Sequence, residues 1–108
     1  MSDRPAGPVA RLWHGWTSAA NADAYERLLR TTILPGIHRV ADYRGCHLLR
    51  RDTPSGSEFI TLTMWDSTEA VREFAGDEQA HAVVPDAARA LLDRFDEASL
   101  HYTATWCP

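Results

Sequence analysis

Lysine is absent from the 108-residue sequence, and all 11 basic side chains other than histidine are arginine. The chain therefore has no amine for Schiff-base chemistry, no anchor for pyridoxal phosphate and no P-loop lysine. Acidic residues outnumber basic ones by 15 to 11, which gives a formal charge of −4. This balance argues against nucleic acid or an anionic membrane as the main partner, because neither attracts an acidic surface.

Cysteines and long apolar segments are also scarce. Cys46 and Cys107 are 61 residues apart and show neither CxxC nor Cys/His metal spacing, so we expect free thiols and no bound metal. No segment approaches the ~18 apolar residues of a membrane span, and the N-terminal residues lack the apolar core of a signal peptide. We expect a cytoplasmic protein with a flexible tail at 1–8 and one domain at 9–106.

Hydrophobic alternation and β-branched residues predict four strands. The strands are expected at 9–17, 43–52, 58–66 and 99–106. Between the first two strands, helical spacing predicts a helix over 21–34, interrupted at Pro35. A second helix follows the third strand.

That second helix begins at a capping residue, Asp66 or Ser67. Gly76 and Pro85 bracket a break, after which we expect the helix to resume over 86–95. The order β-α-β-β-α-β predicts the α+β, ferredoxin-like fold, an antiparallel sheet with both helices on one face.

The first strand carries large apolar groups on both of its faces. Trp13 lies on one face and Trp16 on the other. The helices can cover only one face of the sheet. We therefore expect a second copy of the chain to cover the other face in a homodimer.

Four segments together resemble the antibiotic biosynthesis monooxygenase superfamily. They are VARLWHGWT, YRGCHLLRR, EFITLTMWDSTEAVREFAG and SLHYTATW. The most recognisable piece is Met64-Trp65-Asp66-Ser67, followed by a helix that contains Phe74. The resemblance covers residues 9–106 and implies a dimeric α+β barrel.

The resemblance also implies a class of chemistry. Some members of the superfamily are cofactor-free oxygenases of polycyclic phenols, in which the electron-rich phenolate itself reduces oxygen. In these enzymes the tryptophan that Trp65 resembles lines the substrate cavity. We expect a monooxygenase that uses no cofactor and binds a small planar aromatic ligand of the phenolic or polyketide type.

The candidate site residues have catalytic or binding roles. The catalytic candidates are His14, Trp65 and His81, and the substrate-binding candidates are Arg11, Trp13, Trp16 and Phe74. Each has a simpler interpretation: His14 as a core histidine bonded to a carbonyl, His81 as a partly exposed helix residue and Trp65 as dimer packing. Arg11 needs an anionic partner, either a substrate oxygen or a carboxylate such as Asp66 or Glu58. We expect His101 to be structural.

Two alternative functions remain open. The haem-degrading branch of the superfamily uses an asparagine on strand one, which this chain lacks, and a tryptophan where Phe74 stands. Its axial histidine position falls on Val84, about one turn after His81. Haem degradation is therefore disfavoured, whereas haem binding through His81 remains possible. The second alternative is a non-catalytic dimer that binds a ligand or has only a structural role.

Overall fold

The computed structural model describes residues 8–37, 40–76 and 82–108. The predicted flexible tail lies outside these residues, except for Pro8. His81, a catalytic candidate, also lies outside them.

The described residues form five strands and four helical segments. The strands are β1 (Val9–Thr17), β2 (Tyr43–Thr53), β3 (Gly56–Trp65), β4 (Leu92–Phe95) and β5 (Leu100–Thr103). The α-helices are α1 (Ala22–Leu28), α2 (Leu34–Ile37), α3 (Thr68–Ala75) and α4 (Asp86–Arg89), and a π-helical turn, Leu29–Ile33, joins α1 to α2.

The strands form one antiparallel sheet with the order β2-β3-β1-β4. β5 also pairs with β1, on residues Val9 to Leu12, whereas β4 pairs with Gly15 to Thr17. β4 and β5 therefore act as one interrupted edge strand. This topology confirms the α+β, ferredoxin-like fold predicted from the sequence.

The first helical segment continues beyond its predicted end. It runs through Pro35 to Ile37, whereas the sequence pattern predicted an interruption at Pro35. A proline lacks the N–H donor and its ring crowds the carbonyl four residues earlier, here that of Thr31. The π-helical turn Leu29–Ile33 already interrupts the α-helical bonding at that carbonyl, so the chain stays helical past the proline.

The predicted helix over 86–95 is wrong in its second half. α4 ends at Arg89, and the segment Leu92–Phe95 forms β4 against β1. The C-terminal part of β1 would otherwise expose unpaired backbone groups along a sheet edge, and β4 satisfies them. The last strand is also shorter than predicted, because β5 ends at Thr103.

The helices cover one face of the sheet, which we call the covered face, and the other is the open face. On β1 the covered face carries Val9, Arg11, Trp13, Gly15 and Thr17, all of which are buried except the half-buried Trp13. Buried aromatic residues on β3 and apolar residues on α1 and α3 complete this core. No helix within the described residues is long and apolar enough to cross a membrane.

Candidate active site

A cavity of about 330 Å³ lies between the covered face and the helices. We call it the main cavity. Its floor consists of two cross-strand pairs from β1 and β3, in which Arg11 lies opposite Thr63 and Trp13 lies opposite Thr61. Ligand cavities in proteins start at about 300 Å³, so this space suits a small molecule.

The rest of the cavity wall is predominantly apolar. It consists of Tyr25, Leu29, Ile33, Leu34, Gly36, Ile37, Val40, Phe74, Val83, Val84, Pro85, Ala88 and Ser99. The helical segments between Ala22 and Ile37 supply most of one side, because apolar residues recur there at helical spacing. A few polar groups in an apolar cavity can orient a bound ligand.

Arg11 is the charged residue of the cavity floor and is only 5% exposed. Its Nη1 lies 2.8 Å from Nε2 of His101, and its guanidinium carbon lies 5.7 Å from the ring centroid of Phe74. Burial lowers the pKa of Arg11, but a guanidinium remains charged in proteins. The cavity thus has a cation set among apolar groups.

The carboxylates suggested for Arg11 from the sequence bind other arginines. Asp66 pairs with Arg44, and Glu58 pairs with Arg51 at 2.9 Å. Glu58 faces the open side of the sheet, because it lies opposite Trp16 in the register. The expectation that either carboxylate binds Arg11 is therefore corrected by this strand parity.

His101 is the residue that sequence reasoning missed. Its contact with Arg11 depends on the register between β5 and β1, which places the two residues opposite each other. Burial lowers the pKa of His101, and the positive charge of Arg11 lowers it further. Alternation along β5 was visible in the sequence, but nothing there indicated which residue of β1 would lie opposite.

Trp13 forms a fixed aromatic wall of the main cavity. Its Nε1 donates a hydrogen bond of 2.6 Å to the carbonyl of Asp96, and its ring lies 5.8 Å from that of Phe95. A Cβ at Gly15 would lie 3.3 Å from the Trp13 ring and 2.9 Å from Leu92. The glycine therefore leaves the space that the indole occupies.

Trp65 lies beneath the cavity floor and is fully buried. Its ring packs at 5.0 Å from Tyr43 and 5.1 Å from Phe74. Its Nε1 donates to Oγ1 of Thr63 at 2.8 Å, and this hydroxyl donates to the carbonyl of Arg11 at 3.4 Å. Trp65 therefore supports two residues of the floor, Thr63 and Arg11, from below.

His14 and Trp16 lie on the open face, away from the main cavity. Nε2 of His14 is 3.4 Å from Glu58, and its Nδ1 is 3.5 Å from Asp96. The His14 ring stacks on Trp16, and the guanidinium carbon of Arg94 lies 3.8 Å from the Trp16 ring centroid. Of the seven sequence candidates, the main cavity brings together Arg11, Trp13 and Phe74.

Tyr25 adds a phenol to the cavity wall. It packs against Phe59 with 4.7 Å between ring centroids, and burial raises the pKa of its hydroxyl well above the ordinary value. Tyr25 is therefore protonated at neutral pH and can donate a hydrogen bond, but it is not a base. Among the described residues, no cluster of three or more histidines, cysteines or carboxylates could hold a metal ion.

The sequence matches no protein-family model and no curated protein. Its structure is similar to that of a mutant of SnoaB, a cofactor-independent oxygenase from Streptomyces nogalater. The similarity covers 94% of this chain and 97% of SnoaB, with a TM-score of 0.66 and 20% sequence identity.

Two further solved structures share this architecture. One is a Bacillus cereus protein assigned to the antibiotic biosynthesis monooxygenases, with a TM-score of 0.65 and 14% identity over 94% of this chain and 99% of that one. The other is the ActVA-Orf6 monooxygenase of Streptomyces coelicolor in complex with nanaomycin D. It has a TM-score of 0.57 and 15% identity over 95% of this chain and 91% of that one. The chain has the fold of the antibiotic biosynthesis monooxygenases.

Proposed function

We propose that the protein is a cofactor-independent monooxygenase that acts on a small planar phenol in the main cavity. The observation that carries this proposal is a cation, Arg11, on the floor of a largely apolar cavity of about 330 Å³. The likeness to SnoaB and ActVA-Orf6 over more than nine-tenths of the chain supports it. Trp13 and Phe74 offer aromatic surfaces to a flat ligand.

The chemistry requires the substrate to ionise within the cavity. The positive charge of Arg11 stabilises a phenolate relative to the phenol. The phenolate then supplies electrons to molecular oxygen, so that one oxygen atom enters the ring system and the other leaves as water. The apolar walls exclude bulk water, which strengthens the contact between Arg11 and the anion and protects reactive intermediates.

We also propose that two copies pack through their open faces. Leu49, Leu100 and Tyr102 on this face are 47%, 51% and 51% exposed. In the strand register, Leu100 lies beside Leu12, and Leu12 lies beside Leu62, so the apolar side chains form a continuous row. A second copy would remove this surface from water.

Oxygen consumption with a panel of hydroxylated anthrones and naphthols tests the proposed activity. Trp13 and Trp16 provide a matched pair, because they are the same residue type on opposite faces of β1. We expect Trp13→Leu to reduce turnover by about tenfold or more, since it removes the fixed wall of the main cavity. Trp16→Leu should retain turnover within about twofold.

The proposed site is wrong if both variants turn over the same substrate equally well. Haem binding is the outcome that would replace the proposed function: a saturable Soret shift with hemin, lost in His81→Ala, would support it. No histidine among the described residues lines the main cavity. We therefore expect no such shift.

A further inference from the structure

A row of polar side chains crosses the floor of the main cavity. The strand register places His101 on β5, Arg11 on β1 and Thr63 on β3 side by side on the covered face. The guanidinium of Arg11 contacts His101 at 2.8 Å, and its carbonyl accepts a hydrogen bond from Thr63 at 3.4 Å. The row therefore holds both the side chain and the backbone of the same arginine.

The contact between Arg11 and His101 fixes the state of the imidazole. A guanidinium has only hydrogen-bond donors, so Nε2 of His101 must accept, and the single ring proton must lie on Nδ1. A neutral imidazole orients the guanidinium without adding negative charge. Aspartate or glutamate at the same place would orient Arg11 and also compensate its charge.

Phe74 contacts the same guanidinium from another direction. The distance of 5.7 Å between the Arg11 guanidinium carbon and the Phe74 ring centroid lies within the cation–π range. Arg11 and Phe74 both line the main cavity. A cation in an apolar cavity attracts an anion more strongly than the same cation would in water, because the effective dielectric constant is lower.

We propose that His101 is a positioning residue that holds the guanidinium of Arg11 at the main cavity, where it selects ligands with an ionised oxygen. This inference rests on the proposed function, which places an aromatic molecule in that cavity. The ligand is a planar aromatic acid, a phenolate, an enolate or a carboxylate, whose anionic oxygen faces Arg11. Its rings lie against Trp13 and the apolar helix wall.

Calorimetric titration with two probes of matched shape tests the selection. The probes are 2-naphthoate, which is an anion at pH 7.5, and the neutral 2-naphthamide. The wild-type protein should bind naphthoate about tenfold or more tightly than naphthamide, as expected for a charge-assisted hydrogen bond to Arg11. No preference for naphthoate, or no binding of either probe, overturns the inference.

Two substitutions of His101 separate positioning from a general structural role. His101→Leu removes the acceptor and should weaken naphthoate binding about tenfold, while naphthamide binding changes less than about threefold. His101→Gln carries Oε1 at the place of Nε2 and should restore naphthoate affinity to within about threefold of wild type. Equal weakening of both probes in His101→Leu, or no restoration in His101→Gln, contradicts the proposal.

A third variant keeps the test decisive if His101→Leu does not fold. His101→Glu retains an acceptor for Arg11 but adds a negative charge, so it should fold and lose the preference for naphthoate. A retained preference in His101→Glu overturns the role assigned to the neutral imidazole. Oxygen consumption is measured separately: naphthoate selection without oxidation of any phenol would remove the proposed activity and leave the inference about His101 intact.

Discussion

The two faces of the sheet carry similar residues in different surroundings. On β1, Arg11 and Trp13 lie on the covered face, and His14 and Trp16 lie on the open face. The covered pair lines an apolar cavity, whereas His14 lies within 3.5 Å of two carboxylates and Trp16 stacks on it. A basic group beside a tryptophan therefore does not identify a site, because strand parity decides which pair meets a cavity.

The faces also differ in how their described contacts treat charge. On the open face, Glu58 lies near both His14 and Arg51, so opposite charges compensate each other. On the covered face, the guanidinium of Arg11 contacts a neutral imidazole and an aromatic ring. A ligand with an ionised oxygen would gain more from the second environment, since paired surface charges contribute little to binding or stability.

Removing a tryptophan from the covered face should give the largest effect on stability. Trp65 is fully buried, and Trp65→Ala should lower the free energy of unfolding by about 3–5 kcal/mol through lost burial and an unfilled cavity. Trp106 is 82% exposed, so Trp106→Ala is the matched control and should change stability by less than about 0.5 kcal/mol. Urea unfolding at one fixed protein concentration measures both, and equal effects would mean that the covered face is not the core.

A charge at the centre of the open face should have the next largest effect. Leu62 lies between His47 and Leu12 in the strand register. If two open faces pack together, Leu62→Asp buries an unpaired carboxylate there and should raise the dimer dissociation constant about 100-fold or more. Analytical ultracentrifugation over a range of concentrations measures the constant.

The control for this experiment adds the same charge elsewhere. Ala87 is an exposed residue of α4, on the covered side of the sheet, so Ala87→Asp should leave self-association unchanged. A wild-type protein that is monomeric at all concentrations would contradict the dimer. Unchanged association of Leu62→Asp would place any interface on another surface.

The sequence alone predicted most of the fold. The positions of β1, β2 and β3 were predicted to within two residues at either end, because β-branched and aromatic residues with turn residues between them are a strong local signal. The cap of α3 was one of the two predicted residues, as Oγ of Ser67 accepts a hydrogen bond from the Ala70 backbone. These features depend on short-range physics that a sequence displays directly.

The features that sequence analysis missed depend on long-range pairing. β4 forms because the edge of β1 is available to it, and this overrides the helical pattern over 86–95. The sequence showed that Trp13 and Trp16 point to opposite faces, but not which face the helices cover. His101 became part of the site only through its register with Arg11, 90 residues away.

The smallest expected effect is a pH dependence of stability that His101 produces. Burial and the charge of Arg11 lower the pKa of His101 in the folded protein, whereas the unfolded chain keeps a value of about 6.5. As the pH falls below about 6.5, the unfolded state takes up the proton first, so the folded state loses stability. Above that pH the contribution of His101 is fully present.

His101→Gln does not titrate, and it therefore isolates this contribution from the carboxylates and the other histidines. The difference in unfolding free energy between wild type and His101→Gln should be constant above pH 7. It should shift against the wild type between pH 6.5 and 5, by less than about 1 kcal/mol because His101 is partly exposed and its charge is screened. A parallel pair of stability curves over this range would mean that His101 binds its proton equally well in the folded and unfolded protein. The contact with Arg11 would then not hold the imidazole neutral, and the difference between the two faces of the sheet would be smaller than the geometry indicates.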